Sequence, residues 1–422
     1  MKLIEELKMR GLVEALTDPE IEKALEKPLT VYCGFDPSAR SLQAGNLVSI
    51  MALKRFQMAG HKVIALVGGA TGLIGDPSGK SAERNMLTLE QVERNKAGIR
   101  ENLSRILDFE GPNAARLVDN YDWYKDTSAI EFLRDIAINF RVPQMLAKES
   151  VKKRLGASEG ALTFTEFSYQ ILQGNDFLHL YDNFGCTLEI GGADQWGNIT
   201  AGTDLVRKMR GKSVFGLTFP LLLDSSGKKF GKSEGNALFM DASMTGVYDW
   251  YQYFLRSADA DVIRYLKVFS LKSLEEIAEL ERAMKENPEG RIPQKALAEE
   301  LTLLVHGEEG LRTALGATKT LFGGDLSGKS ASELEEIFKD VPSAEMQAAD
   351  IVGKSVFAVA ALAGMFKSNG EARRMAAQGG LSLNGCKVDE KRVFREEDLV
   401  EGRVAVLKQG KKNNFVLKAS RV

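Results

Sequence analysis

Between residues 30 and 47 the chain is written as a strand, a tight turn and a helix in immediate succession. Thr30 to Phe35 is short, apolar and β-prone. Asp36-Pro37-Ser38 breaks it, and Leu47, Ile50, Met51 and Leu53 then recur at helical spacing. A strand feeding a helix N-terminus makes an anion site, because the first amides of the helix have no partner within it. Ala44 and Gly45 keep the turn small enough for a flat base and a phosphate to approach. An ordinary strand–helix unit of a parallel sheet has the same pattern, so this stretch alone leaves both readings open.

The alternation continues. Residues 1–29 read as a helical lead-in stopped by Pro28. Lys62 to Val67 reads as a buried strand, Leu89 to Leu107 as a helix, and Ala115 to Val118 as a short strand. Ser128 to Leu155 is mostly helical, and Thr165 to Leu180 is a helix. Thr187 to Ile190 is a strand, a helix follows to about Arg210, and Phe215 to Leu223 is the last strand. Such alternation predicts an α/β fold, a Rossmann-like doubly wound parallel sheet, whose ligands bind outside the strand C-termini. From about Met244 the β signals stop, and 244–343 reads as an all-helical domain with breaks near Ser257, Ser270, Asn287 and Gly307. Residues 344–353 read as a linker. Residues 354–422 read as a small α+β domain with a helix around Glu371 to Arg374 and strands ending at Gly410-Lys-Lys-Asn-Asn414.

Composition narrows the function. From Gly353 onward fourteen Lys/Arg face seven Asp/Glu, about +7, in a chain of net charge −2. A basic end on an acidic body suits a polyanion partner. Three cysteines and three histidines are scattered in no ligand spacing, so neither a protein-built metal site nor a histidine-based triad is expected. No run approaches the roughly 18 apolar residues of a membrane span. The charged start Met1 to Arg10 resembles neither a signal nor a transit peptide, which predicts a cytoplasmic protein.

Three motifs carry chemistry. Lys228-Lys-Phe-Gly-Lys-Ser233 is a glycine-flanked basic loop after the last strand, suited to phosphate. The run from Gly68 to Lys80 lacks the spacing of a dinucleotide fingerprint. Its Thr71 and Asp76 suit an ammonium group better than a phosphate. Tyr169, Gln173 and Asp176 stand at i, i+4 and i+7, one polar face of a helix that must otherwise pack. Gly323-Gly-Asp-Leu-Ser-Gly-Lys-Ser330 matches a phosphate-binding loop pattern, but a helix precedes it where a strand is needed, so it reads as an inter-helix turn.

In order along the chain stand Tyr32-Cys-Gly-Phe-Asp-Pro37, Ala65 to Gly79, Phe164-Thr-Glu-Phe-Ser-Tyr169, Gly191-Gly-Ala-Asp-Gln-Trp-Gly-Asn-Ile-Thr200 and Lys229-Phe-Gly-Lys-Ser233. With these motifs the chain resembles the class I aminoacyl-tRNA synthetases, in their bacterial tyrosine-specific branch, over essentially its whole length. The resemblance implies activation of L-tyrosine by ATP, with Mg2+, to an adenylate and pyrophosphate, and then transfer to tRNA(Tyr).

The resemblance also implies residue roles. Tyr32 and Asp176 read the phenol. Asp76, Tyr169 and Gln173 hold the ammonium with Thr71 nearby, and Gln195 faces the carboxyl end. Cys33, Gly34, Asp36, Gly45, Gly191 and Asp194 line the nucleotide. Lys80, Arg84, Lys229 and Lys232, with Ser233, act on the departing pyrophosphate. The tail resembles the S-four-type RNA-binding fold, with Arg373, Arg374, Lys411 and Lys412 as phosphate contacts. A homodimer forms through about 128–155, and 1–243 is the catalytic domain. The sequence departs from the family where His-x-Gly-His is expected, since Gln43-Ala-Gly-Asn46 stands there, and where Glu189 replaces a usual Gln. Amides still offer N–H donors, but no imidazolium charge. That departure keeps one alternative in view, an RNA-binding protein on a synthetase scaffold with a weakened catalytic corner; against a further reading, a tyrosine-activating paralogue that passes the adenylate to a non-tRNA acceptor, the basic tail argues.

Overall fold

The computed structural model describes residues 1–78, 86–155, 162–233, 236–323, 326, 328–338, 341–410 and 413–420. Two compact units divide it, Met1–Gly307 and Glu308–Val422. The division falls inside the stretch read as all-helical, at a glycine whose φ of 70° interrupts the helix Ile292–Gly323.

The first unit is organised by a six-stranded sheet in the order β1-β6-β5-β2-β3-β4. Its strands are β1 Ala15–Leu16, β2 Thr30–Phe35, β3 Lys62–Val67, β4 Arg116–Asp119, β5 Cys186–Gly192 and β6 Phe215–Phe219. All pairs are parallel except β1 with β6. Parallel neighbours require crossovers, which the helices Leu47–Met58, Leu89–Ser104, Phe164–Phe184 and Trp196–Arg210 supply. Helices on both faces explain why Val63 to Val67 is buried at every position instead of alternating. From β2 the chain winds outward to β3, and from β5 it winds the other way to β6. The reversal opens a crevice at the C-terminal ends of β2 and β5.

Local chemistry fixes the ends of the crossover that matters most. Thr163 accepts from the Glu166 N–H, and Glu166 accepts in return from the Thr163 N–H, a capping box that starts Phe164–Phe184. Arg154 holds Glu166 with two buried hydrogen bonds of 2.9 and 3.1 Å. Gly185, at φ 61°, ends the helix in the left-handed conformation.

Several expectations are corrected. The lead-in 1–29 is not only helical, since β1 lies within it. The last strand of the sheet stops at Phe219, short of Leu223. The segment 344–353 is no linker: β9 Ser343–Gln347 and the helix Ala348–Ile351 occupy it. With β7 Lys232–Ser233 and β8 Asn236–Ala237 forming a separate two-stranded ribbon, the remaining strands are β10 Leu381–Leu383, β11 Cys386–Lys387, β12 Val404–Gln409 and β13 Asn413–Ser420. The second unit's sheet runs β11-β10-β12-β13-β9, with β9 parallel to β13. The strands do not end at Asn414 as read: β12 pairs with β13 antiparallel from Gln409↔Asn413 onward, and β13 runs on to Ser420. Phe357, Phe394, Leu407 and Leu417 anchor the core of this α+β sheet.

Candidate active site

Asp36, the residue that breaks β2, is the hub of the crevice. One carboxylate oxygen accepts from Thr71 Oγ1 at 2.8 Å and the other from Tyr169 Oη at 2.8 Å. This ties the ends of two strands to the polar face of the Phe164–Phe184 helix. Only glycine fits at 68, where a Cβ would lie 2.1 Å from Asp36 Oδ1 and 2.3 Å from Thr71 Oγ1. Asp76 accepts from Gln195 Nε2 at 2.7 Å and from the Ser78 N–H at 2.9 Å. Asp36, Asp76 and Asp176 all act on the buried Tyr169 hydroxyl, whose pKa burial raises first and their charges raise further. A pocket with three carboxylates around one phenol calls for a cation of ammonium type.

The floor is built by the next strand along. Asn120, fully buried just past β4, donates to Asp176 Oδ2 at 3.0 Å and to Thr71 Oγ1 at 3.0 Å. Its own oxygen accepts from the Ala70 N–H at 2.7 Å. Trp123 Nε1 donates to the other Asp176 oxygen at 3.0 Å, its ring stacked on His179. Burial pushes the Asp176 carboxyl up to about 7, against the pull of those donors. Opposite, Tyr32 and Glu189 are register partners on β2 and β5. Gln173 Nε2 donates to Glu189 Oε1 at 2.8 Å, and burial pushes the Glu189 carboxyl up to about 8. Tyr32 Oη and Glu189 Oε2 are buried without a hydrogen bond of ordinary geometry, although each perturbs the other's titration.

On the side where the nucleotide is expected, Gly191 packs where a Cβ would meet Gln195 at 3.2 Å. Asp194 reaches solvent, yet the surrounding walls desolvate it and the Asp76 charge adds, so its carboxyl is raised. Lys229, exposed, is near enough to oppose that rise. Burial pushes the Cys33 thiol up to about 12, which rules it out as a thiolate nucleophile at neutral pH. Gly34 is exposed at the end of β2. Asn46 Oδ1 accepts from the Gln43 N–H at 2.9 Å, so its amide N–H₂ is what it has left to offer a ligand. Gly231, at φ 82°, lays the basic loop on this turn, where a Cβ would sit 2.9 Å from the Gly45 nitrogen. Phe230 anchors the loop among Tyr253, Phe254, Tyr265 and Phe269.

The structure thus brings together Tyr32, Asp36, Thr71, Asp76, Tyr169, Gln173, Asp176, Asp194 and Gln195. Lys80, Arg84, Lys411 and Lys412 lie outside the described residues, as do the side chains of Lys232 and Ser233. Arg373 lies over the Phe357 ring and Arg374 is exposed, both in the second unit. Asn120 and Trp123 were not foreseen as site residues. The one available signal was a polar and an aromatic side chain just past a strand's C-terminus. A cavity of about 530 Å³ bounded by Asn139, Arg141, Lys148, Thr200 and Lys208 includes none of these site residues. Among the described residues, no group of three or more His, Cys, Asp or Glu is placed to hold a metal ion.

Comparison with known proteins places the chain in a family. The family model described as tRNA synthetases class I (W and Y) matches residues 23–323, and a tyrosine–tRNA ligase SYY-like C-terminal domain matches 333–417. A tyrosine–tRNA ligase of Protochlamydia amoebophila is 47% identical over 98% of this chain and 97% of that protein. One of Bacillus caldotenax is 48% identical over 99% and 100%. The C-terminally truncated mitochondrial tyrosyl-tRNA synthetase of Aspergillus nidulans superposes with a TM-score of 0.68 at 29% identity, covering 76% of this chain and 94% of that one. The chain belongs to the class I tRNA synthetases of the tryptophan and tyrosine type.

Proposed function

We propose that this chain is a tyrosine–tRNA ligase. The observation that carries the reading is the floor of the crevice, where Asp176, fixed by Asn120 and Trp123, acts on the buried hydroxyl of Tyr32. An acceptor and a hydroxyl at the end of a buried pocket recognise a phenol and disfavour a phenyl ring, which offers neither of them a hydrogen bond. Relatives that bear this name at 47–48% identity over nearly the full length support it.

In this reading the carboxylates around Tyr169 hold the α-ammonium, and Gln195, bonded to Asp76, faces the carboxyl end. The substrate carboxylate forms a bond to the α-phosphorus of ATP while the bond to pyrophosphate breaks. No protein nucleophile is needed, so catalysis is alignment and charge stabilisation. Lys229 and Lys232, with Lys80, Arg84 and Ser233, take the charge of the departing pyrophosphate, helped by Mg2+ that arrives with ATP. Gln43 and Asn46 give phosphate hydrogen bonds, while Cys33, Gly34, Asp36, Gly45, Gly191 and Asp194 border the nucleotide. The terminal ribose of tRNA(Tyr) then attacks the adenylate carbonyl and AMP leaves. Arg373, Arg374, Lys411 and Lys412 are phosphate contacts of an S-four-type tail. The domains are 1–243 for catalysis, 244–343 on the anticodon side and a basic RNA-binding tail.

A homodimer fits the exposed apolar side chains of Ile130, Leu133, Ile138, Val142 and Leu146, which fall within 128–155. No helix of the described residues is long and apolar enough to cross a membrane; cytoplasmic residence belongs to this proposal. Tyrosine-dependent exchange of pyrophosphate into ATP, with phenylalanine as control, tests the function. Exchange with tyrosine alone is expected; tyrosine binding without any exchange would favour the RNA-binding alternative.

A further inference from the structure

We infer that Glu189 is a positioning residue that works as a neutral acid, donating to Tyr32 Oη so that the Tyr32 proton is turned toward the substrate phenol. The inference rests on the reading of the crevice as a tyrosine pocket. Four observations carry it. Glu189 and Tyr32 are opposite one another in register on adjacent parallel strands, so their side chains leave the sheet on the same face. Both groups are buried, and Glu189 Oε2 and Tyr32 Oη lack any other partner. The second Glu189 oxygen is occupied, since Oε1 accepts from Gln173. Finally, Oε2 lies against an apolar wall: a Cβ at Gly202 would meet it at 3.4 Å and Phe177 at 3.0 Å.

The surroundings favour the uncharged form. Tyr32 acts on Glu189 from β2, and Asp176 and Gln173 from the Phe164–Phe184 helix, while the Cys33 and Cys186 thiols are close enough to feel its charge. Its neighbours Gly216 on β6 and Gly202 on the Trp196–Arg210 helix bring no side chain. None of the groups acting on it is a cation, and burial is the largest cause of its raised pKa. A carboxylate in that place would be unpaired and desolvated.

Proton counting gives the consequence. With Glu189 neutral, its O–H donates to Tyr32 Oη, the Tyr32 O–H donates to the substrate phenol oxygen, and the phenol donates to Asp176. Each proton has one acceptor. With Glu189 ionised, Tyr32 must spend its one proton on the carboxylate. It then presents only a lone pair to a phenol whose proton Asp176 already takes, and one substrate hydrogen bond is lost.

The test is calorimetric titration of the full chain with L-tyrosine, without ATP, from pH 6.5 to 9.5, for wild type, Glu189→Gln and Tyr32→Phe. The Gln amide keeps a permanent donor in the place of the acid proton. Relative to Glu189→Gln, wild-type affinity should fall about tenfold between pH 7 and 9, the size of one lost hydrogen bond. Binding near pH 8.5 should take up a proton in wild type and not in Glu189→Gln. Ionisation of the substrate ammonium and of Asp176 is common to both proteins and cancels. Tyr32→Phe should lose the same alkaline fall, which separates a relay through Tyr32 from a direct effect of Glu189. Parallel profiles in wild type and Glu189→Gln would overturn the inference, and so would an alkaline fall that survives in Tyr32→Phe. Failure of wild type to bind tyrosine at any pH would overturn the functional reading along with it.

Discussion

Asp176 and Glu189 are two carboxyls that one pocket pushes in the same direction, to about 7 and about 8, mainly by burial. For Asp176 the opposing donors can be removed one at a time. Asn120→Ala deletes a lowering interaction, so the Asp176 pKa should climb further, and the acid side of the tyrosine-binding profile should move to higher pH. The same change leaves the Ala70 N–H and an Asp176 oxygen unpaired, which costs about 1–3 kcal/mol in denaturant unfolding. An unmoved profile would place Asn120 in support of the fold alone. For Glu189 the linkage concerns stability. The folded pKa lies above the unfolded value of about 4.3, so the folded state holds the proton more tightly. The stability this contributes is complete below about pH 4.3 and is lost as pH rises to about 8. The melting temperature of Glu189→Gln should therefore gain on wild type from pH 5 to 8 and stay level above that, as thermal scans across that range would reveal.

Among elements, helical spacing was the most legible signal. Tyr169, Gln173 and Asp176 share a face by periodicity alone, and all three point into the crevice contacts just described. Asn120 and Trp123 were not legible, because their partner Asp176 lies more than fifty residues away and nothing local marks a donor's target. The strand β1, two residues long, has too little pattern of its own; its existence is dictated by β6. Likewise β9 alternates only weakly between half-buried and exposed positions, so it reads as loop until β13 pairs with it. Glycines alone do not tell a loose turn from a packed one, and the structure makes the start of the glycine-rich turn after β3 a close-packed joint. Gly68→Ala tests that difference. A Cβ there collides with both partners of the Thr71–Asp36 hydrogen bond. Pyrophosphate exchange should fall by at least tenfold and stability by about 1–3 kcal/mol, while wild-type exchange rates in the variant would mean that the joint gives way without cost.

At the scale of the whole molecule, the two compact units carry opposite burdens of charge. The crevice with its carboxylates lies within Met1–Gly307, and the excess of Lys/Arg lies at the end of Glu308–Val422. In the proposed function a small zwitterion and ATP are met by the first, and a polyanion is attracted by the second. The residues proposed to read tyrosine make their hydrogen bonds inside the first unit, so activation should not require the tail. A chain ending after residue 342, before β9 begins, removes the whole five-stranded sheet without cutting any strand in two. This truncated chain should keep pyrophosphate exchange within about threefold of the full chain. Its transfer of tyrosine to tRNA should fall by at least a hundredfold, and the salt dependence of RNA binding should flatten as phosphate contacts disappear. Loss of exchange in a truncated chain that still melts cooperatively would show that the second unit helps to shape the crevice. Undiminished transfer would remove the tail from RNA recognition and leave its basic surface without a nucleic-acid role.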